Sequence, residues 1–89
     1  MKVLLVATVQ SHICQFHRPL VAMLHEHGCE VHVAARNNLA EKNGLKLDFV
    51  EQVFDVPFQR SPFSPKNLGA YKQLKKIIDE GNYDVVHCN

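Results

Sequence analysis

The sequence contains no tryptophan, only three cysteines and no excess of either charge. Ten Lys and Arg against nine Asp and Glu leave a net charge of +1, which argues against a partner recruited by bulk electrostatics. Cys14, Cys29 and Cys88 form no C-x-x-C pair, so reduced thiols in a cytosolic setting are predicted, with Cys14 and Cys88 in or near the core. The longest apolar run, residues 3–9, is far shorter than the roughly 20 residues of a membrane-spanning helix.

Several enzyme motifs are also absent. The loop after the first apolar run, ATVQSH, has no glycine, whereas a dinucleotide-binding loop needs G-x-G-x-x-G, which argues against a Rossmann dehydrogenase. There is no G-x-S-x-G elbow, and no cysteine has a histidine partner in sequence, so hydrolase or thiol chemistry has no support.

Six histidines raise the question of a metal site. His25 and His27 are two positions apart on a predicted helix and therefore point to different sides. Only His12, His17 and His87 are expected to converge, and they have no carboxylate close in sequence. We therefore predict no metal site, and interpret His12 and His87 as polar contacts to a ligand.

Strand and helix patterns alternate in the first half of the chain. Residues 2–8 and 30–35 read as strands, the first of them buried. Between them an amphipathic helix is predicted, with Ser11 as its N-cap and Gly28 at its end. Pro19 lies inside the pattern, so the helix either kinks there or begins near Arg18. The residues of its predicted buried face are Ile13, Phe16, Leu20, Met23, Leu24 and His27.

The second half of the chain repeats this alternation. Residues 48–54 form a more polar strand, which suits a sheet margin, and residues 83–88 a last buried strand. Residues 57–65, PFQRSPFSP, contain three prolines and are predicted to be a loop. A helix then begins at Ser64 and Pro65 and runs to Gly81. Its predicted buried residues are Leu68, Tyr71, Leu74 and Ile78.

This alternation predicts an α/β fold with a Rossmann-like parallel sheet, of strand order 3-2-1-4. Ligands of such sheets bind where the order reverses, at the carboxyl ends of strands 1 and 4. The crevice there is expected to be lined by residues 8–12 and by His87, Cys88 and Asn89. Free backbone N–H groups behind Ser11 would attract a phosphate or a sugar hydroxyl, although a simple helix cap explains Ser11 equally well.

Basic residues concentrate late in the chain. Between Asp55 and Asp79 there are five basic residues and no acid. Lys72, Lys75 and Lys76 are predicted to lie on the side of the last helix opposite its buried stripe. The ordinary interpretation is a solvated helix face, and the alternative is a surface that meets anionic lipid. Nucleic acid is not predicted as a partner, because the basic segment lacks interleaved exposed aromatics.

Four segments, ATVQSHICQFHRPL, EVHVAAR, PFQRSPFSPKNLGAYKQLKKII and YDVVHCN, together resemble the amino-terminal domain of bacterial family 4 glycosyltransferases of capsular and exopolysaccharide synthesis. The resemblance implies a two-domain B-type fold, of which residues 1–89 are a partial, acceptor-side first domain without the donor-binding second domain. Such enzymes move a sugar from a nucleotide donor to a lipid-linked or saccharide acceptor at the cytoplasmic membrane face. They usually retain anomeric configuration and generally use no metal, and the 89 residues alone are expected to be inactive.

The resemblance also implies which residues bind substrate. Relatives often have a glycine-rich first loop, where this chain has Gln10, Ser11 and His12. Relatives often end strand 4 with two histidines one residue apart, where this chain has His87 and Asn89; asparagine cannot serve as a general base at neutral pH. No residue is assigned a catalytic role. The implied substrate-binding residues are Gln10, Ser11, His12, Arg60, Ser61, His87 and Asn89, with Arg60 and Ser61 facing the acceptor.

Two other functions are compatible with the sequence. The chain is alternatively a non-catalytic anchoring subunit that recruits a separate donor-binding polypeptide, or part of a sugar-nucleotide epimerase with similar twin domains. The sequence beyond residue 89 would distinguish them, since a transferase continues into a second βα series with paired glutamates. A sheet that ends on an unpaired strand also predicts self-association.

Overall fold

A computed structural model describes residues 1–39, 46–58 and 67–88. In chain order its elements are β1 (Lys2–Val9), α1 (Gln10–Phe16), α2 (Arg18–Glu26), β2 (Glu30–Arg36), β3 (Gln52–Asp55), α3 (Asn67–Gly81) and β4 (Val85–Cys88). The four strands form one sheet in the order β3-β2-β1-β4, and all neighbouring strands are parallel. The predicted α/β architecture and the 3-2-1-4 order are therefore confirmed.

The two central strands are buried on both faces because their sequences are almost continuously apolar. Leu5 and Val33 are fully buried on the face that packs against α1 and α2. Leu4 and Ala34 are fully buried on the opposite face, which packs against α3. A strand with a core on each side is expected to lack the alternation of polar and apolar residues, which is the pattern of β1.

The helical segment after β1 is broken at His17, and the second helix begins at Arg18. This agrees with the interpretation in which Pro19 stands in the first turn of a helix, where its missing N–H costs nothing. The burial of individual residues in this segment also differs from the prediction. Phe16 is 65% exposed and Met23 is 48% exposed, so their predicted burial is wrong, whereas Ile13 is fully buried.

The buried face of helix α3 includes two of the four predicted residues, Leu74 and Ile78. Ala70 is fully buried, and Leu74, Ile77 and Ile78 pack against the same core. Leu68 is 66% exposed and Tyr71 is 51% exposed, so their predicted burial is wrong. The predicted start of this helix, at Ser64 and Pro65, lies outside the described residues.

Both edge strands are short. Strand β3 covers only the end of the strand predicted from the sequence. Phe49 and Val50 precede β3 and pack against the core from outside the sheet. The predicted position of this strand at the sheet margin is confirmed. β4 occupies the other margin, and all four of its residues are exposed. The predictions of a buried last strand and of a near-core Cys88 are therefore wrong, because β4 is a short edge strand whose residues stay exposed. Self-association through this edge stays a prediction.

Candidate functional site

The candidate site lies where β1 passes into α1. Helix α1 starts at Gln10, directly after the last residue of β1, and Val9 is its N-cap without any side-chain hydrogen bond. Ser11 is therefore the second residue of the helix, and its predicted role as the N-cap is wrong. A depression of about 130 Å³ opens at this junction, lined by Ala7, Thr8, Val9 and His12.

Gln10 and Ser11 are buried and already hydrogen-bonded within the fold. The Gln10 side-chain amide donates to the Ala35 carbonyl at 3.2 Å. Asn38 makes two hydrogen bonds to Ser11: its Oδ1 accepts from the backbone N–H at 2.9 Å, and its Nδ2 donates to Oγ at 2.7 Å. These contacts fasten the start of α1 to the end of β2, so the two residues hold the site in place, and any direct contact with substrate stays a prediction.

Asn38 is the polar residue that the sequence reasoning missed. It is 4% exposed, and both ends of its amide are used by Ser11. An asparagine just after a strand is ordinarily read as a strand terminator. Its ability to accept and donate at once is what makes it suited to bridge a backbone N–H and a hydroxyl.

Three histidines converge beside the depression. The ring centroids of His12 and His17 are 5.2 Å apart, and those of His17 and His87 are 6.4 Å apart. His87 stands opposite Leu5 in the parallel register of β1 and β4, which puts its side chain on the face covered by α1 and α2. The sequence-based expectation that these three residues meet at the switch point is confirmed.

His17 is the central ring of this cluster, and its environment disfavours a positive charge. Burial lowers its pKa below the usual value, and the neighbouring His12 and His87 lower it further. Its Nε2 is buried and has no hydrogen-bond partner among the described residues. At neutral pH the centre of the cluster is therefore an uncharged imidazole.

The remaining predicted site residues are not brought into this cluster. Arg60, Ser61 and Asn89 lie outside the described residues. Lys72, Lys75 and Lys76 are exposed along α3, where they line a shallow depression together with Asp79 and Glu80. Lys75 forms an exposed ion pair with Asp79, with 2.9 Å between Nζ and Oδ2.

Within residues 1–39, 46–58 and 67–88, no group of three or more His, Cys, Asp or Glu side chains is arranged to hold a metal ion. The Cys14 thiol is buried, and burial raises its pKa, so it is poorly suited to act as a nucleophile. No helix in the described part of the chain combines the length and the apolar character needed to cross a membrane.

Comparison with known proteins gives a consistent result. The sequence profile of the family described as "Glycosyl transferase 4-like" matches residues 2–89. The chain is 46% identical over 88 residues to EpsD of Bacillus subtilis (strain 168), a protein named as a candidate glycosyltransferase. That match covers 99% of the chain but only 22% of the length of EpsD. No solved structure matches the chain.

Proposed function

The chain belongs to the glycosyl transferase 4-like family, and from this premise we propose that it forms the acceptor-side domain of a two-domain glycosyltransferase. The enzyme would move a sugar from a nucleotide-sugar donor, held by a second domain, to a lipid-linked or saccharide acceptor in cell-surface polysaccharide synthesis. Retention of anomeric configuration, as the sequence resemblance implies, is part of the proposal. The relative's greater length leaves room for a second domain.

The observation that carries the proposal is the group of three histidines beside the depression at the β1–α1 junction. Parallel α/β sheets bind ligands outside the carboxyl ends of their strands, at the point where strand order reverses, and this group lies there. The two nitrogens of an imidazole ring can donate or accept hydrogen bonds. His12 and His87 can therefore each bind a hydroxyl group of an acceptor and orient it toward the donor.

Replacing His87 with alanine in the full-length enzyme tests this assignment. Loss of one hydrogen bond worth about 0.5–1.5 kcal/mol should raise the acceptor KM by about 2- to 12-fold and leave the donor KM unchanged. His27→Ala is the matched control, because His27 is exposed and bonds only the Met23 carbonyl at the far end of α2. Steady-state transfer assays with varied acceptor measure both constants.

The assay also separates the competing functions. An unchanged acceptor KM in His87→Ala would remove this residue from the acceptor site. If the purified protein transfers sugar only after a second polypeptide is added, the anchoring-subunit function replaces the proposed one. Epimerisation of the nucleotide sugar without any acceptor would identify the epimerase alternative.

We also propose that α3 places the enzyme at the cytoplasmic face of the membrane. Exposed Leu68 lies four positions before Lys72, and exposed Tyr71 lies four positions before Lys75, so apolar, aromatic and basic side chains share the outer side of the helix. This combination is typical of a helix that lies in the interface of an anionic membrane. A mixed apolar and basic surface favours lipid contact more than the solvated polar face that the sequence predicted. The Lys75–Asp79 ion pair offsets part of its positive charge.

Vesicle binding by the full-length protein tests the membrane proposal. Each lysine near an anionic surface contributes about 1 kcal/mol, so replacing Lys72, Lys75 and Lys76 together by glutamine should strongly reduce binding to vesicles of phosphatidylcholine and phosphatidylglycerol. Binding should also weaken as salt is added. Lys46→Gln, an exposed lysine away from α3, is the control and should bind like the wild type. Equal partitioning of the wild type onto vesicles with and without phosphatidylglycerol would refute the proposal.

A further inference from the structure

Four aromatic rings form a continuous row at the candidate site. The row starts at Phe16, whose ring centroid is 5.0 Å from that of His12. It continues from His12 to His17 at 5.2 Å and from His17 to His87 at 6.4 Å. Neighbouring rings are inclined to each other by 45–68°, so they do not share one plane. Of the four, His12 lines the depression at the β1–α1 junction, and Phe16 stands next to it.

Phe16 is not needed for packing. The buried residues of α1 are Gln10, Ser11, Ile13 and Cys14, and Phe16 is 65% exposed at the end of the helix. Single exposed apolar residues are common on protein surfaces. Phe16 is not an isolated apolar residue, because its ring contacts His12, which lines the depression.

The chemistry of the row favours one kind of ligand. A hexose ring has faces of C–H groups and a rim of hydroxyls, and an aromatic ring has an electron-rich face that attracts the positive ends of C–H bonds. The described residues that line the depression include no lysine or arginine, and burial and the two histidine neighbours lower the pKa of His17, so these residues place no fixed cation there to favour a phosphate. A depression of about 130 Å³ is far smaller than a pocket for a drug-sized ligand, and so suits a single ring.

We propose that the exposed ring of Phe16, next to His12, is the face on which the terminal sugar ring of the acceptor stacks, and that Phe16 thereby selects a saccharide. The inference rests on the proposed transferase function and narrows it: the group bound beside the depression is a sugar ring and not a lipid phosphate. In this arrangement the sugar ring lies against Phe16, and its hydroxyls reach the nitrogens of His12 and His87.

Substitutions of Phe16 in the full-length enzyme test the stacking role. Phe16→Ala should raise the acceptor KM by about 2- to 10-fold, with little change in kcat or in the donor KM. Phe16→Tyr should retain the wild-type KM because it keeps the aromatic ring, whereas Phe16→Leu, which keeps apolar area without a ring, should behave like Phe16→Ala. Met23→Ala removes another exposed apolar side chain, 48% exposed on α2, and should leave every constant unchanged.

A binding experiment identifies the ligand class independently of turnover. Saturation-transfer NMR of the full-length protein with methyl hexosides should show the strongest transfer at the ring C–H protons, and the transfer should fall in Phe16→Ala but not in Met23→Ala. Inorganic pyrophosphate should not compete for this site. Absence of hexoside binding, full competition by pyrophosphate, or equal KM values for Phe16→Ala and the wild type would overturn the inference. If the wild type transfers sugar and the Phe16 substitutions leave its acceptor KM unchanged, only the stacking role is refuted. If the wild type transfers no sugar, the proposed function itself is refuted.

Discussion

Leu5→Ala is expected to lower the free energy of unfolding of this domain by about 2–5 kcal/mol, the range for removing a large side chain from a packed core. Leu5 is fully buried in β1, the strand with a partner on each side, and belongs to the core cluster that joins the sheet to α1 and α2. Removing the Leu5 side chain leaves a cavity between the sheet and helices α1 and α2, and residues of both layers line it. Few substitutions in the described part of the chain should cost more.

The matched control is Leu68→Ala, which removes the same atoms from a side chain that is 66% exposed. Surface substitutions of this kind usually change stability by less than about 0.5 kcal/mol. Native-state hydrogen exchange of the β1 and β2 amides in the intact protein reports the opening free energy of the sheet. Equal effects of the two substitutions would contradict the arrangement of both β1 and α3.

The topology could be predicted from the sequence because strand and helix patterns alternate along the chain. Alternating elements allow few arrangements of a parallel sheet, and the order 3-2-1-4 is the one found. The convergence of His12, His17 and His87 followed directly, since the ends of β1 and β4 are neighbours in that order. The position of these three histidines could therefore be predicted from the strand order, without knowledge of individual side-chain contacts.

Which face of each helix is buried could not be predicted equally well. In α3, apolar residues occur on adjoining sides of the helix, so spacing alone allows either Leu68 and Tyr71 or Ala70 and Ile77 to face the sheet. In the first helical segment, two helices replace the single predicted one, and Phe16 is the last, exposed residue of α1. Both errors concern surfaces that we assign to ligand and membrane contact, where exposed apolar residues have a use other than packing.

The hydrogen bonds that hold the candidate site in place could not be predicted from local sequence patterns either. Asn38 and Ser11 are 27 positions apart, and nothing in either neighbourhood indicates that they are bonded. The same is true of His32 and Tyr83, which are 51 positions apart and joined at 2.8 Å between Nδ1 and the phenol oxygen. Long-range polar pairs of this kind can be identified only when the positions of the strands, helices and turns in the fold are known.

The two glycines of α3 are expected to respond to alanine in opposite directions. A Cβ added to Gly69 would meet no atom within 4 Å, so Gly69→Ala should stabilise the protein by about 0.5–1 kcal/mol through helix propensity. A Cβ added to Gly81 would overlap Cε2 of the Tyr83 ring. Gly81→Ala should therefore force that ring to move and destabilise the protein by about 1–3 kcal/mol, the usual cost of overpacking.

The cost at Gly81 arises because Tyr83 is held from several sides. Its phenol bonds His32, and Lys2 Nζ lies 5.0 Å from the ring centroid while donating to the Gly81 carbonyl at 2.6 Å. Moving the ring breaks contacts that tie the turn after α3 to β1 and β2. In the double variant Gly81→Ala/Tyr83→Ala the clash is absent, so adding Gly81→Ala to Tyr83→Ala should cost far less than adding it to the wild type. Urea unfolding of the intact proteins measures this coupling, and equal costs in both backgrounds would show that the Tyr83 ring is not what excludes a side chain at Gly81.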